Sequence, residues 1–212
     1  MRQFLIVAGA ENLLDHELLE AMLFTSNPRA EAESLAEELL DRFGSLAEVL
    51  SAEPEALAAA GLSASAIAGV RLVREVALRF MRAELLDRPL VESWDKLIDY
   101  CSARIAYSKI EEFHILFLDR KNALIRDERI QRGTIDHTPV YPREVIRRAL
   151  DLGASALILV HNHPSGDPTP SIADIAVTKD IVKAAAPLGV VVHDHLIIGR
   201  GRHTSLRDLG LL

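Results

Sequence analysis

The chain has a single cysteine, Cys101, in 212 residues. That excludes an internal disulfide framework and any zinc site built on cysteines. Long apolar runs are also missing. Runs such as ASALILV and GVVV are far too short to span a bilayer. At the N-terminus, MRQFLIVAGAENLL has an apolar patch of about seven residues that soon meets acidic ones, so no secretory signal is expected. A cytoplasmic protein without a membrane partner is the simplest expectation. Lysine is absent from residues 1–82, which carry 7 Arg and 13 Asp or Glu for a net charge of −6, while residues 91–212 carry 16 basic and 16 acidic residues. Neither half offers the broad basic face of a general nucleic-acid binder. Arg143, Arg147 and Arg148 on one predicted helix, and Arg200 and Arg202 on one late loop, are read as solvated surface charge.

What is present is an ordinary globular composition, 49% hydrophobic and 26% charged, with enough length for one large domain or two small ones. The first third is helical by pattern. Leu13, Leu14, Leu18, Leu19 and Met22 fall at amphipathic-helix intervals in ENLLDHELLEAMLF. RAEAESLAEELLDRF repeats the pattern and stops at Gly44. Ser45, Ser51 and Ser63 stand where helix caps are wanted. The turn AAAGLSASAIAGV suggests a helix-hairpin-helix module, whose Gly-x-Gly hairpin offers backbone N–H groups to a phosphate. Here Gly61 is present but Ser63 occupies the second glycine position, so packing or partner binding is the favoured role. Pro89 breaks the pattern. The expected division is a helical domain over 1–84, a linker over 85–94 and a second domain over 95–212.

Beyond the linker the period changes. EEFHILFLDRKNALIRDERIQRGTI predicts two strands joined by a turn at Asp119–Asn122. YPREVIRRALDLG predicts a short helix with Pro142 near its start and Gly153 past its end. ASALILV predicts a buried strand, SIADIAVTKDIVKAAAPLG a helix stopped at Pro187, and GVVVHDHLIIG a last strand. This order implies an α/β sandwich around a mixed sheet.

The segment HNHPSGDPTPSIAD, residues 161–174, carries the chemistry. A strand that stays extended through HNH points His161 and His163 one way and Asn162 the other. PSGDPTP then turns the chain, Ser171 begins a helix, and Asp174 lies in its first turn. A catalytic zinc takes three protein ligands and keeps one open position; two imidazoles and a carboxylate meet that need. The same residues also read as a capping box, with Ser171 as the cap and Asp174 returning the bond. His193-Asp194-His195 repeats the spacing without a turn or a capped acidic helix after it. It reads as a strand with polar residues on one face, in support of the site rather than as ligands.

H-x-H, seven residues, Ser, two residues and Asp is the signature of the JAMM (MPN+ or JAB) domain, and His161, His163, Ser171 and Asp174 match it without a gap. HNHPSG, RGTI, YPREVIRRAL and DHLIIGRG resemble the bacterial RadC branch of that family, and the acidic helical N-terminus resembles its accessory domain. The resemblance implies an α+β fold of the cytidine-deaminase-like or MPN kind, a mixed sheet between helices. It implies Zn²⁺ held by His161, His163 and Asp174, and Ser171 helping to hold an oxyanion. It also implies an upstream glutamate acting as base. Glu111 and Glu112 both open EEFHILFLD and face opposite ways; the match of Phe113 and LFLD favours Glu111.

Three functions follow as expectations. The first is a zinc-dependent hydrolase acting on a peptide or isopeptide substrate. The second is a DNA-associated repair protein, the association the RadC resemblance carries. The third is a metal-bearing interaction scaffold with little catalysis. Cys101 has no neighbouring residues that would make it a nucleophile, and nothing in the chain sets an oligomeric state.

Overall fold

A computed structural model describes residues 10–24, 29–86, 89–133 and 140–212. The N-terminal patch, Asp87 and Arg88 of the expected linker, and Thr134 and Ile135 of the predicted second strand lie outside the described residues. By compactness the chain divides into Met1–Ala77 and Leu78–Leu212.

The first unit is helical, as its periodicity predicts. Its elements are α1 (Asp15–Leu23), α2 (Arg29–Phe43), α3 (Leu46–Ser51), α4 (Pro54–Ala58) and the start of α5 (Ala64–Ala83). The unit division therefore falls inside α5, upstream of the segment 85–94. Leu19, Leu23, Leu39, Val49, Leu57 and Val70 form its core. Ser45 caps α3 by accepting from the Glu48 N–H at 3.2 Å, and Ser63 accepts from Ala66 N–H at the start of α5. Ser51 is not a cap. It ends α3, and α4 starts at Pro54, whose fixed φ suits the first helical position. Gly61 turns the hairpin at φ +94°, a left-handed conformation that a Cβ would strain.

The second unit is a three-layer sandwich. After a 3-10 turn (Leu90–Ser93) come α6 (Trp94–Ile105), β1 (Glu112–Leu118), β2 (Leu124–Arg132), α7 (Pro142–Asp151), β3 (Ala156–Asn162), α8 (Ile172–Ala185), β4 (Val191–Ile198) and β5 (His203–Ser205). The sheet order is β2-β1-β3-β4-β5. Among the described strands only β3 and β4 run parallel, and α8 makes the crossover between them; the other described pairs are antiparallel. The expected mixed sheet between helices is therefore what forms. Helix α6 and strand β5 complete an outline that the sequence pattern drew with fewer elements.

Alternation on β1 and β3 separates the two cores. Phe113, Ile115, Phe117, Leu157 and Leu159 face α7 and α8, while Leu116, Leu118, Ile158 and Val160 face α6. All seven residues of β3 are buried, as expected for a central strand covered on both faces. Burying a side chain such as Phe117 contributes about 1.5–3 kcal/mol. The arginines of α7 are drawn into local pairs. Arg148 forms a two-pronged hydrogen bond with Glu128 of β2, Arg147 bonds Glu144 at 2.7 Å, and Arg143 lies over the Tyr141 ring. The solvated-charge reading fits this arrangement.

At the C-terminal ends of β3 and β4 two loops touch through their backbones. His163 N–H donates to Ile198 O at 3.0 Å and Arg200 N–H to Gly166 O at 3.3 Å. A Cβ on Gly199 would overlap Gly166 O and stand 2.9 Å from Pro168 Cδ. We predict that Gly199→Ala destabilises the protein by about 1–3 kcal/mol, the usual cost of overpacking. Urea unfolding at neutral pH checks this, and unchanged stability would show that the loop yields without cost.

Candidate metal centre

Strand β3 delivers its last residues to the rim of the sheet. Alternation turns Asn162 to the α6 side, where it is fully buried. Its Oδ1 accepts from Glu112 N–H at 2.8 Å, and its Nδ2 donates to the carbonyls of Ser108 and Ile110. His161 turns to the other face and packs against the Phe113 ring at 6.0 Å. His163, just past the strand, follows it. The two Nε2 atoms come within 3.0 Å of each other.

The third group arrives from α8. Ser171 caps this helix, its Oγ accepting from Asp174 N–H at 3.1 Å, while Asp174 Oδ2 accepts from Ser171 N–H at 2.7 Å. The capping box is therefore real, and it aims the carboxylate. Asp174 Oδ1 lies 3.3 Å from His161 Nε2 and Oδ2 lies 3.4 Å from His163 Nε2. The metal-ligand and capping readings of HNHPSGDPTPSIAD describe one arrangement.

Electrostatics follow from this packing. Burial alone would raise the Asp174 pKa, but its contacts with His161 and His163, in their protonated forms, hold it well below the usual carboxylate range. The bond to Asp174 chiefly raises the pKa of His163, with smaller contributions from the Asp167 carbonyl and the Glu111 charge. His163 Nδ1 lies 2.8 Å from Asp167 O. A carbonyl only accepts, so Nδ1 carries a hydrogen, and in the neutral ring Nε2 presents its lone pair inward. Behind the site His161 Nδ1 meets His195 Nε2 at 2.8 Å. Burial holds the His195 pKa well below its ordinary value.

These donors suit a divalent ion. Zinc bonds of about 2.0–2.2 Å to N and O imply tetrahedral edges of about 3.3–3.6 Å, close to the 3.0, 3.3 and 3.4 Å separations seen here. Among the described residues, His161, His163 and Asp174 form the cluster of His, Cys, Asp or Glu able to hold an ion. The three side chains are mostly shielded, and His163 is the most open at 18% exposure.

A family model described as a RadC-like JAB domain matches residues 91–211. The chain belongs to the RadC-like JAB family. It is also 53% identical over 213 aligned positions to a curated relative, the UPF0758 protein of Rhodobacter capsulatus, with the whole of both chains covered. In this RadC-like JAB chain no helix among the described residues is long and apolar enough to cross a membrane.

Glu111, just before β1, and Glu112, its first residue, separate cleanly. Glu112 turns to the α6 side, where its carboxylate accepts from Ser108 Oγ at 3.1 Å and Arg129 Nη1 at 3.3 Å and meets His114 Nε2 at 3.2 Å. Glu111 is exposed. It shares the alternation of Phe113, the ring stacked on His161, and its charge is felt at His163. The second H-x-H pair is split by the sheet. Leu157 pairs with Val192 and Ile158 with Asp194, so the register passes over His193. His193 reaches Asn122 at 2.7 Å, whereas His195 lies behind His161. The expectation of one shared polar face for this pair gives way to that irregularity, and of the two it is His195 that contacts His161. The sequence pattern did not single out Thr178, one helical turn beyond Asp174 and 2.5 Å from His195 Nδ1. Its i+4 spacing from Asp174 is the signal that marks it.

Glu112 also yields a pH prediction. Burial would raise its pKa, but His114, Arg129 and Ser108 bring it from 4.5 down to about 2. A depressed carboxylate contributes stability that is complete above the unfolded value and is lost as the pH falls through the folded one. Glu112→Gln should therefore lower stability most above pH 4.5, with the gap closing towards pH 2. Urea midpoints of both proteins at several pH values check this, and a gap independent of pH would contradict it.

Proposed function

We propose that the chain is a zinc-dependent hydrolase whose substrate is a peptide or isopeptide. The observation that carries this reading is the meeting of three donors, with the His163 lone pair and the Asp174 carboxylate turned on the same point as His161 Nε2. Lone pairs packed this closely repel unless a cation or proton stands among them. His161, His163 and Asp174 would hold the ion. Bound zinc would supply Lewis acidity, polarising a carbonyl oxygen and acidifying water.

The remaining roles fall to side chains around it. Glu111 stands on the exposed side of the site, where a carboxylate can take a proton from water and pass it to a leaving amine. General acid–base help of this kind is worth about 10²–10⁴-fold. The Ser171 Oγ accepts one hydrogen bond from Asp174 N–H, and that bond does not use its hydroxyl hydrogen, which can be donated to a developing oxyanion. Glu112 is engaged on the opposite face and is not suited to the proton transfer. The single buried cysteine, whose thiol burial pushes well above its ordinary pKa, supports a metal-dependent rather than a thiolate mechanism and agrees with a reducing cytoplasm. The pairing of the α7 arginines lends no support to a DNA-binding face there.

Elemental analysis of protein purified without chelator tests the metal. About one zinc per chain is expected, lost in His163→Ala and retained in Glu111→Gln. Folded wild type that stays empty after zinc is supplied would overturn the reading. With a panel of peptide and isopeptide-linked substrates, Glu111→Gln should abolish turnover, which separates a hydrolase from a scaffold that merely holds metal. Ser171→Ala should keep zinc and lose about 10²-fold in rate, the scale of one oxyanion donor. It should also lose about 1 kcal/mol of stability as a helix cap, to be read separately by thermal unfolding.

A further inference from the structure

Behind the proposed ligands lies a buried chain of hydrogen bonds that ends on a hydroxyl. His161 Nδ1 and His195 Nε2 are 2.8 Å apart, His195 Nδ1 and Thr178 Oγ1 are 2.5 Å apart, and Thr178 Oγ1 donates to Asp174 O at 2.5 Å. His195 and Thr178 have no exposed surface, and His161 has 1%, so water does not complete or replace these bonds. The Phe113 ring meets His195 edge-on at 5.5 Å and stacks on His161, which holds both imidazoles in place.

The hydrogens in this chain can be placed by donor and acceptor chemistry. Asp174 O is a carbonyl and only accepts, so the one hydroxyl hydrogen of Thr178 is spent on it. Towards His195 the hydroxyl is then an acceptor, and His195 Nδ1 must carry a hydrogen. Neutral His195 is left with a bare Nε2, which accepts from His161. His161 therefore carries its hydrogen on Nδ1 and turns a bare Nε2 to His163 and Asp174. The reverse order would leave His161 with its hydrogen on Nε2, where it blocks ligation.

We infer that Thr178 and His195 are positioning residues that fix the ligating tautomer of His161, Thr178 setting it from two side chains away. The inference rests on the zinc reading for its purpose, while the tautomers themselves exist without metal. Asp174 thus contributes twice, its carboxylate to the site directly and its backbone carbonyl by committing Thr178.

Long-range ¹H–¹⁵N correlation spectra of the full chain, metal-free and labelled at histidine, read the tautomers, with His161 and His195 identified by single substitution. The hydrogen is expected on Nδ1 in both rings; an Nε2–H form of either would overturn the inference. Thr178→Val removes the hydroxyl at nearly constant volume. It should weaken zinc binding about 10–100-fold in chelator competition, the usual effect of losing a group that orients a metal ligand, and should change the His195 tautomer. Thr178→Ser should restore both. Folded Thr178→Val with wild-type zinc affinity would overturn the inference, and if that variant does not fold, the wild-type spectrum decides. Failure of the wild type to take up zinc would instead count against the hydrolase reading, and the spectrum would still judge the tautomers.

Discussion

The hydrogen bond from Ser171 N–H to Asp174 Oδ2, 2.7 Å long, holds the carboxylate in the one orientation that meets two histidines from another element. Helix starts of this kind are common, because the first N–H groups of a helix need acceptors. The unusual circumstance is what stands opposite. Strand β3 ends at the same rim with two imidazoles on one side, so a local device for beginning a helix also closes the candidate cation site. Loss of the cap would move the carboxylate, and no other acidic side chain among the described residues stands in its place in that cluster.

Much of this was legible in the residues, for local reasons. Period-two alternation set His161 and His163 against Asn162, and the buried amide of Asn162 shows the rule at work. Cap spacing put Asp174 in the first turn of α8. Alternation showed only that Glu111 and Glu112 face opposite ways; the resemblance at Phe113 and LFLD chose Glu111, and Glu112 is engaged by hydrogen bonds on the α6 side. The less legible parts depend on pairing between distant segments. The register irregularity opposite Leu157 and Ile158 separates His193 from His195, and no spacing rule within VVVHDHLIIG announces it. Thr178 was missed because a threonine on a helix face has no meaning until β4 is laid beside β3. Ser51 was misread because a helix can stop as easily as start near a serine, and Pro54 decided which.

The two faces of the sheet serve opposite needs. On the α6 side, Glu112 pairs with Arg129 and Asp127 with Arg104 at 3.1 Å, and the His114 ring lies between the two carboxylates. On the other side, His161, His163 and Asp174 converge on the candidate metal centre. Neighbouring residues on the same two strands supply both, so β1 ties Glu111 to a rigid, internally satisfied layer while leaving its side chain at the open rim.

The connection between β3 and β4 has a consequence for the order of assembly. The three proposed ligands fall within the segment 161–174, whereas His195 is 34 residues beyond His161 and reaches it only across the parallel pair. Short loops close early and parallel pairing comes late. On the zinc reading, a chain that ends before β4 would therefore keep all three proposed ligands and lose the His195 contact behind His161.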